Sequence, residues 1–322
     1  MTAHEPLSVI VLAGGISHER DVSLRSGRRV ADALRAVGVS ASLRDPDATL
    51  LDFLRDTPPT VVWPVLHGAS GEDGALLGLL ELAGVPYVGS SARAARLAWD
   101  KPTAKALAEA AGIRTPRSVT LPKDTFRELG AAAVLRLVTE AMPAPYAVKP
   151  ARGGSAQGVT IVRDADSLPR AMVDAYTYGD VALIEQLVEG TELAIGVLDT
   201  GDGPTALPAT EIVPTSGVYG YEARYNAGLT RFYTPARITP AAAQAAAEAA
   251  VGIHRAIGIG QVSRVDVIVD AAGDPWFLEV NVIPGLTETS LLPQGLAAAC
   301  IDVGDLYRRL ADAARATAVT TA

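Results

Sequence analysis

The chain has 322 residues, 49% hydrophobic and 5% aromatic, enough for about two domains or three small ones with cores built mainly of Ala, Leu and Val. A net charge of −8 excludes a broad nucleic-acid or anionic-membrane surface, while leaving room for a local cationic pocket. The single cysteine, Cys300, excludes an internal disulfide and a thiolate metal cluster, and reads as a small core residue.

Nothing in MTAHEPLSVIVLAGG resembles a signal peptide, and no apolar stretch is long enough to span a bilayer. A cytoplasmic protein with no membrane or nucleic-acid partner is therefore expected. SVIVLAGG, an apolar run closed by two glycines, predicts a buried parallel strand. SLRSGRRVADALRAVG has helical spacing and stops at a glycine. A strand in VVWPVLHG, a helix from about Asp73 to Leu82 and a short strand in PYVG follow. Such alternation marks a parallel α/β sheet, so residues 1–96 are expected to form an N-terminal α/β unit.

The second expected unit, 97–183, has a helix in KPTAKALAEAAG, a strand in PYAVKP, a glycine-rich connection in RGGSAQGV, a strand in GVTIVRD and a helix in SLPRAMVDAYT. The third, 184–317, opens with VALIEQLVEGTE and holds a long alanine-rich helix, capped by Thr239 with Pro240 at its first position. It also holds a hairpin, RVDVIVDAAGDPWFLEVNV, and residues 318–322 are expected to form a frayed tail.

Strand alternation puts Val265, Val267 and Val269 on one face of that hairpin, and Arg264, Asp266 and Ile268 on the other. In the second strand it groups Leu278, Val280 and Val282 against Phe277, Glu279 and Asn281. Two carboxylates about 4 Å apart repel by roughly 4 kcal/mol at an effective dielectric near 20. Asp266 and Glu279 therefore need a cation. Arg264 in a structural ion-pair network supplies one answer; a Mg²⁺ ion held by Asp266, Glu279 and the Asn281 amide oxygen supplies the other. Phosphates would need a cradle, and KPARGGSAQG offers Lys149 followed by Gly153, Gly154 and Gly158, although the chain has no GxxxxGK[ST] P-loop. Taken alone, that stretch also reads as an ordinary turn.

In this order the pieces resemble the ATP-grasp superfamily, and within it the D-alanine–D-alanine ligases. The resemblance runs from AGGISHERDVSLRSG through LHGASGEDGALLGLLELAGVPYVGS and WDKPTAKAL to LEVNVIPGLTETSLLPQG, and the combination HGxxGEDG with ExNxxPGxTxxSLxP is highly specific. It implies three α/β units with ATP between the central and C-terminal ones. Lys101 and Lys149 resemble the lysines on the α- and β-phosphates. Glu185, Gln186 and Val188 resemble the adenine-contacting segment, and Glu192 the ribose carboxylate. Asp266, Glu279 and Asn281 resemble the ligands of two Mg²⁺ ions, for which Mn²⁺ can substitute, and the family also implies activation by a monovalent cation.

Glu19 resembles the carboxylate that meets the first D-alanine's ammonium, joined by Ser155 and Tyr225 in a triad that closes a lid at about 214–231. His67 faces the first substrate in this reading, and Ser290 and Leu291 hold the second one's carboxylate. Arg264 and the Gly285 N–H are placed on the reaction's oxyanion. The implied product is D-alanyl-D-alanine for peptidoglycan precursors, made through an acylphosphate by a homodimer. Without the resemblance, Glu19 reads as a solvated helix N-terminal charge and His67 as a core residue capping a turn.

The chain departs from the common family pattern at Gln186 (usually Lys), Ala156 (Ser), Gly220 (Asp), Arg224 (a Lys that reaches the γ-phosphate), Val282 (Thr) and Leu286 (Met or Phe). These leave D-serine, D-lactate or another small amino acid as alternative second substrates. An inactive nucleotide-binding regulator is the reading from another class; Tyr225 argues against D-lactate.

Overall fold

The run SVIVL forms β1 (Ser8–Leu12), the middle strand of a three-stranded parallel sheet. A computed structural model describes residues 6–226 and 228–321, the side chains of 225 and 317–321 excepted. From β1 the chain passes through α1 (Arg20–Ala36) to β2 (Ser40–Arg44), then through α2 (Leu50–Asp56) to β3 (Val61–Pro64), giving the order β2-β1-β3. Helices α3 (Ala69–Glu72), α4 (Ala75–Leu82) and α5 (Ala92–Trp99) follow. The expected strand in PYVG is a single parallel bridge, Val62 to Tyr87, because its ladder is limited to two bonds on one residue, Val62 N–H to the Pro86 carbonyl and Val88 N–H to the Val62 carbonyl.

Next come α6 (Lys101–Ala110), β4 (Ser118–Pro122), α7 (Lys123–Leu129), α8 (Ala131–Ala141), β5 (Tyr146–Pro150), β6 (Thr160–Val162), α9 (Leu168–Thr177) and β7 (Val181–Gln186). Their strands pair antiparallel as β4-β7-β5-β6. Asp100 caps α6, accepting from the Thr103 N–H at 3.0 Å, and so fixes the direction in which Lys101 leaves the helix.

The last part holds β8 (Thr191–Leu198), β9 (Thr205–Ala206), β10 (Thr210–Pro214), α10 (Tyr221–Tyr225), β11 (Thr230–Tyr233), α11 (Pro240–Ile257), β12 (Val262–Val269), β13 (Pro275–Asn281), α12 (Leu291–Ala298) and α13 (Val303–Thr321). Its antiparallel sheet runs β11-β10-β8-β12-β13, with β9 beside β8. Thr239 caps α11 through the Ala242 N–H at 3.2 Å, and Gly258 ends it at φ 74°, as the local sequence signals require. The alanine face of α11 (Ala242, Ala246, Ala250) lets the helix lie close on Val265, Val267 and Phe277 in one buried cluster. The unit boundaries expected at 96 and 183 fall inside α5 and β7, and α13 carries helical backbone across the expected tail to Thr321; residue 322 lies outside the described residues.

Two sequence expectations change. Cys300 is exposed, not in the core: it sits past the end of α12 in a left-handed turn (φ 54°), its N–H bonded to the Ala297 carbonyl. The β12–β13 register shifts between Asp266 and Val267, so Asp266 faces Glu279 while Val267 faces Phe277. The extra residue, Leu278, breaks the alternation. Phe277 turns into the core, and Leu278 joins Glu279 on the cavity wall.

Candidate active site

Two cavities meet on the polar side of that hairpin. The first, about 380 Å³, lies between the β4–β7 sheet and the C-terminal sheet; the second, about 670 Å³, reaches the loop after β1 and the segment before α12. Lys101, Gly153, Gly154, Tyr219, Arg224 and Glu279 line both. Of the residues given catalytic, substrate-, ATP- or metal-binding roles from the sequence, all but Tyr225 line one cavity or both, whereas Gly158 of the glycine-rich connection lines neither; the Tyr225 side chain lies outside the described residues.

In the first cavity Lys149 is the last residue but one of β5 and Glu185 the last but one of β7, both nearly buried. Lys149 Nζ is 2.5 Å from Glu185 Oε2, and Lys105 Nζ is 2.7 Å from Oε1. Burial alone would push the Glu185 carboxyl up; Lys149 and Lys105 outweigh it and hold it below its ordinary range. Burial likewise works against the Lys149 ammonium, but Glu185 and Glu279 hold it above the usual lysine value. Gln186 and Val188 continue along the cavity edge. Glu192, near the start of β8, is pushed up to about 7 by burial, with Arg224 opposing and Asp266 and Glu279 adding to the rise.

Arg264 grips Asp266 with a two-pronged ion pair, Nε to Oδ1 at 2.7 Å and Nη2 to Oδ2 at 2.8 Å. The structural network weighed from sequence is thus real. It engages one edge of the guanidinium, while Arg264 also lines the second cavity. Across the hairpin, Glu279 Oε2 lies 3.4 Å from Lys101 Nζ, which also donates to the Gly153 carbonyl at 2.8 Å. Burial opposes ionisation of Glu279, but Lys101, Lys149, Arg224 and Arg264 drive its carboxyl down to about 2. Arg224 stacks on the Tyr219 ring at 4.4 Å, fixing the segment after β10 over both cavities.

In the second cavity the Ser155 hydroxyl donates to Glu19 Oε1. Ser155 and Ala156 both occupy the left-handed region (φ 54° and 55°), a costly conformation for residues with a Cβ, which the glycine-rich connection holds in place. His67 is buried with Nδ1 3.1 Å from the Ile283 carbonyl, while Nε2 has no hydrogen-bond partner among the described residues. Ser290 Oγ accepts from the Thr287 N–H at 3.1 Å, beside Leu291 and Gly285. A Cβ on Gly285 would lie 2.8 Å from Ser290 Oγ. Gly285→Ala is therefore expected to displace that hydroxyl and raise the KM of whatever amino acid binds there about tenfold or more, at little cost to nucleotide affinity; initial-rate kinetics with each substrate varied in turn check it.

The comparisons with known proteins now have a geometry to meet. The family description "D-ala D-ala ligase C-terminus" matches residues 107–312, and "D-ala D-ala ligase N-terminus" matches 51–90. A D-alanine–D-alanine ligase of Anaeromyxobacter sp. (strain Fw109-5) is 42% identical over 306 residues, covering 95% of this chain and 96% of the relative. The chain belongs to the D-alanine–D-alanine ligase family. The ligase of Gloeobacter violaceus is 41% identical, covering 95% of this chain and 99% of the relative. Among solved structures, the VanG D-Ala:D-Ser ligase of Enterococcus faecalis superposes with a TM-score of 0.83 at 28% identity, covering 96% of this chain and all of that one. The D-alanine–D-alanine ligase of Bacillus anthracis gives 0.81 at 26%, covering 98% and 100%. A parallel N-terminal sheet followed by two antiparallel sheets is thus the ATP-grasp ligase fold.

Within this family member, sequence reasoning passed over Lys105, behind the wall of the first cavity, and Glu72 and Tyr219, which line the cavities. Lys105 lies one helical turn after Lys101 in KPTAKAL, and that spacing was the available signal. Glu72, inside HGASGEDG, is buried with Oε1 3.8 Å from His67 Nδ1, and burial pushes its carboxyl up despite His67. Tyr219 directly precedes Gly220 in the lid stretch VYGYEARY, but only the fold shows its ring under Arg224.

Proposed function

We propose that this chain joins two D-alanines into D-alanyl-D-alanine at the expense of ATP, in the cytoplasm where ATP and peptidoglycan precursors are found. One observation carries the reading: a cavity lined by Lys149, Glu185 and Glu192 adjoins a second lined by Glu19, Ser155 and Ser290, and the two share a wall of Lys101, Arg224, Glu279 and the Gly153–Gly154 backbone. A carboxylate and a terminal phosphate, both anionic, meet at such a wall only if cations cancel their charge.

The first D-alanine's carboxylate oxygen attacks the γ-phosphorus, the bond to the β-phosphate oxygen breaks, and ADP leaves an acylphosphate. The second D-alanine's amine then attacks the acyl carbon, and inorganic phosphate departs. Lys101, Lys149 and Arg224 hold phosphate oxygens; Glu185, Gln186 and Val188 border the base, and Glu192 takes the ribose hydroxyls. Glu19, held by Ser155, binds the first ammonium, with His67 beside it. Ser290 and Leu291 seat the second carboxylate. Arg264 and the Gly285 N–H stabilise the oxyanion. Tyr225 joins Glu19 and Ser155 in this reading, a role that rests on the family resemblance of the lid stretch. The 214–231 segment excludes water that would hydrolyse the acylphosphate.

Asp266, Glu279 and Asn281 offer only hard oxygen donors, and Asn281 Oδ1 is oriented by the Ile283 N–H at 2.8 Å. Among the described residues no group of three or more His, Cys, Asp or Glu forms a metal site by itself. That partial set fits Mg²⁺ (or Mn²⁺) arriving with nucleotide phosphates, where it would neutralise oxygen charge. Family likeness adds activation by a monovalent cation. A homodimer is part of the proposal, supported by Leu79 and Leu82, exposed three residues apart on α4.

The test is ADP release with ATP and Mg²⁺ against D-alanine, D-serine, D-lactate and L-alanine. Release confined to D-alanine supports the reading, preference for D-serine as second substrate moves it toward the VanG-like activity, and none with any acceptor sinks it in favour of a nucleotide-binding regulator. A pH prediction accompanies it. Because Glu192 must be ionised to accept both ribose hydroxyls and titrates at about 7, ATP affinity should fall as pH drops below that value. The KM of ATP measured across that range should show the drop, and Glu192→Gln should flatten the profile.

A further inference from the structure

Lys105 sits in α6 one turn beyond Lys101, almost fully buried and without a surface of its own on either cavity. Its ammonium donates to Thr115 Oγ1 and to the Pro116 carbonyl, each at 2.7 Å, and forms an ion pair with Glu185 Oε1 at 2.7 Å. Thr115 in turn donates to the Phe277 carbonyl at 3.0 Å, two residues before Glu279 on β13. Lys105 thus ties the strand carrying Glu185 to the strand carrying Glu279, behind the cavity wall.

Its charge has a second consequence. Glu185 has one negative charge and two lysines on it, Lys105 at Oε1 and Lys149 at Oε2. The triad carries one net positive charge, and of its members Lys149 and Glu185 line the nucleotide cavity. Without Lys105 the carboxylate would cancel Lys149, and an incoming polyphosphate would meet a neutral pair. We propose that Lys105 is a positioning residue for ATP: it neutralises Glu185 so that the Lys149 ammonium remains available to the nucleotide's phosphates. This rests on the reading of the first cavity as an ATP site.

Lys105→Met keeps the side chain's length, and Glu185 retains Lys149 as its partner at 2.5 Å, so the carboxylate is not left unpaired and the variant is a usable probe. ADP affinity by calorimetry, and KM and kcat with ATP and D-alanine varied separately, are compared for the wild type, K105M and K105M/E185Q. In K105M the ADP dissociation constant and the ATP KM should rise about tenfold or more, with the D-alanine KM within about twofold of wild type. Adding E185Q removes another buried contact yet frees Lys149, so nucleotide affinity should recover at least about fivefold over the single variant. A purely structural role predicts the reverse order, and a double variant equal to or weaker than the single one overturns the proposal. If K105M does not fold, the double variant decides: ADP affinity within about tenfold of wild type supports the charge role, whereas weaker binding or failure to fold assigns Lys105 to structure alone. Absence of ADP binding in the wild type would instead strike the ATP reading itself.

Discussion

Replacing Arg264 by alanine is expected to slow ligation at least about a hundredfold, the usual cost of removing one donor from a developing oxyanion. The geometry says why so much rests on one side chain. Its Nε and Nη2 atoms are engaged by Asp266, which holds the guanidinium plane rigid while the residue lines the amino-acid cavity. Donors fixed before the reaction need no reorganisation during it. The same substitution leaves the nearly buried Asp266 without its partner, so a lower thermal midpoint is expected too, and turnover must be normalised to folded protein. Arg264→Lys separates the two effects: it keeps a charge near Asp266 but cannot reproduce the fork, so stability should largely return while turnover stays depressed. ATP affinity should change little in either variant. Full activity in Arg264→Lys would show that charge alone suffices and that the guanidinium edge plays no directional part.

How much of this was legible beforehand depends on the range of the interactions involved. Helix α11 was readable because its signals are local: Thr239, Pro240 and Gly258 dictate its ends. The clustering of Arg264, Asp266 and Glu279 was readable because strand alternation is a short-range rule, and the structure pairs Asp266 directly with Glu279. The bulge was not readable. Nothing in WFLEV distinguishes a regular strand from one in which Leu278 is inserted, and the choice is made by α11, whose alanine face leaves space for Phe277. Lys105 looked like any polar residue of an amphipathic helix until β7 brought Glu185 against it. Cys300 looked apolar in an alanine-rich run, but a helix end needs a residue in the left-handed turn, and that position is exposed.

Glu279→Gln should be the second severe variant, with turnover again down by about two orders of magnitude or more, and it carries a signature in pH. Glu279 lies among Lys101, Lys149, Arg224 and Arg264, and those cations take its carboxyl from an ordinary 4.5 to about 2 despite burial. A carboxyl depressed on folding stabilises the native state above its unfolded value, and that contribution disappears as pH falls through the folded one. The wild type should therefore be more stable than Glu279→Gln near neutrality, and the gap should close between about pH 4.5 and about pH 2. Urea midpoints of both proteins at neutral pH and at the acid end of that window measure it. The amide preserves shape and one oxygen, so a surviving gap at the acid end would trace the stability difference to packing, not charge. Turnover should not recover with added Mg²⁺ if the residue's main task is to set the spacing of the surrounding cations. Recovery at high Mg²⁺ would instead identify weakened metal binding as the defect, and the two outcomes separate the carboxylate's part in organising Lys101 and Arg224 from its part as an oxygen ligand.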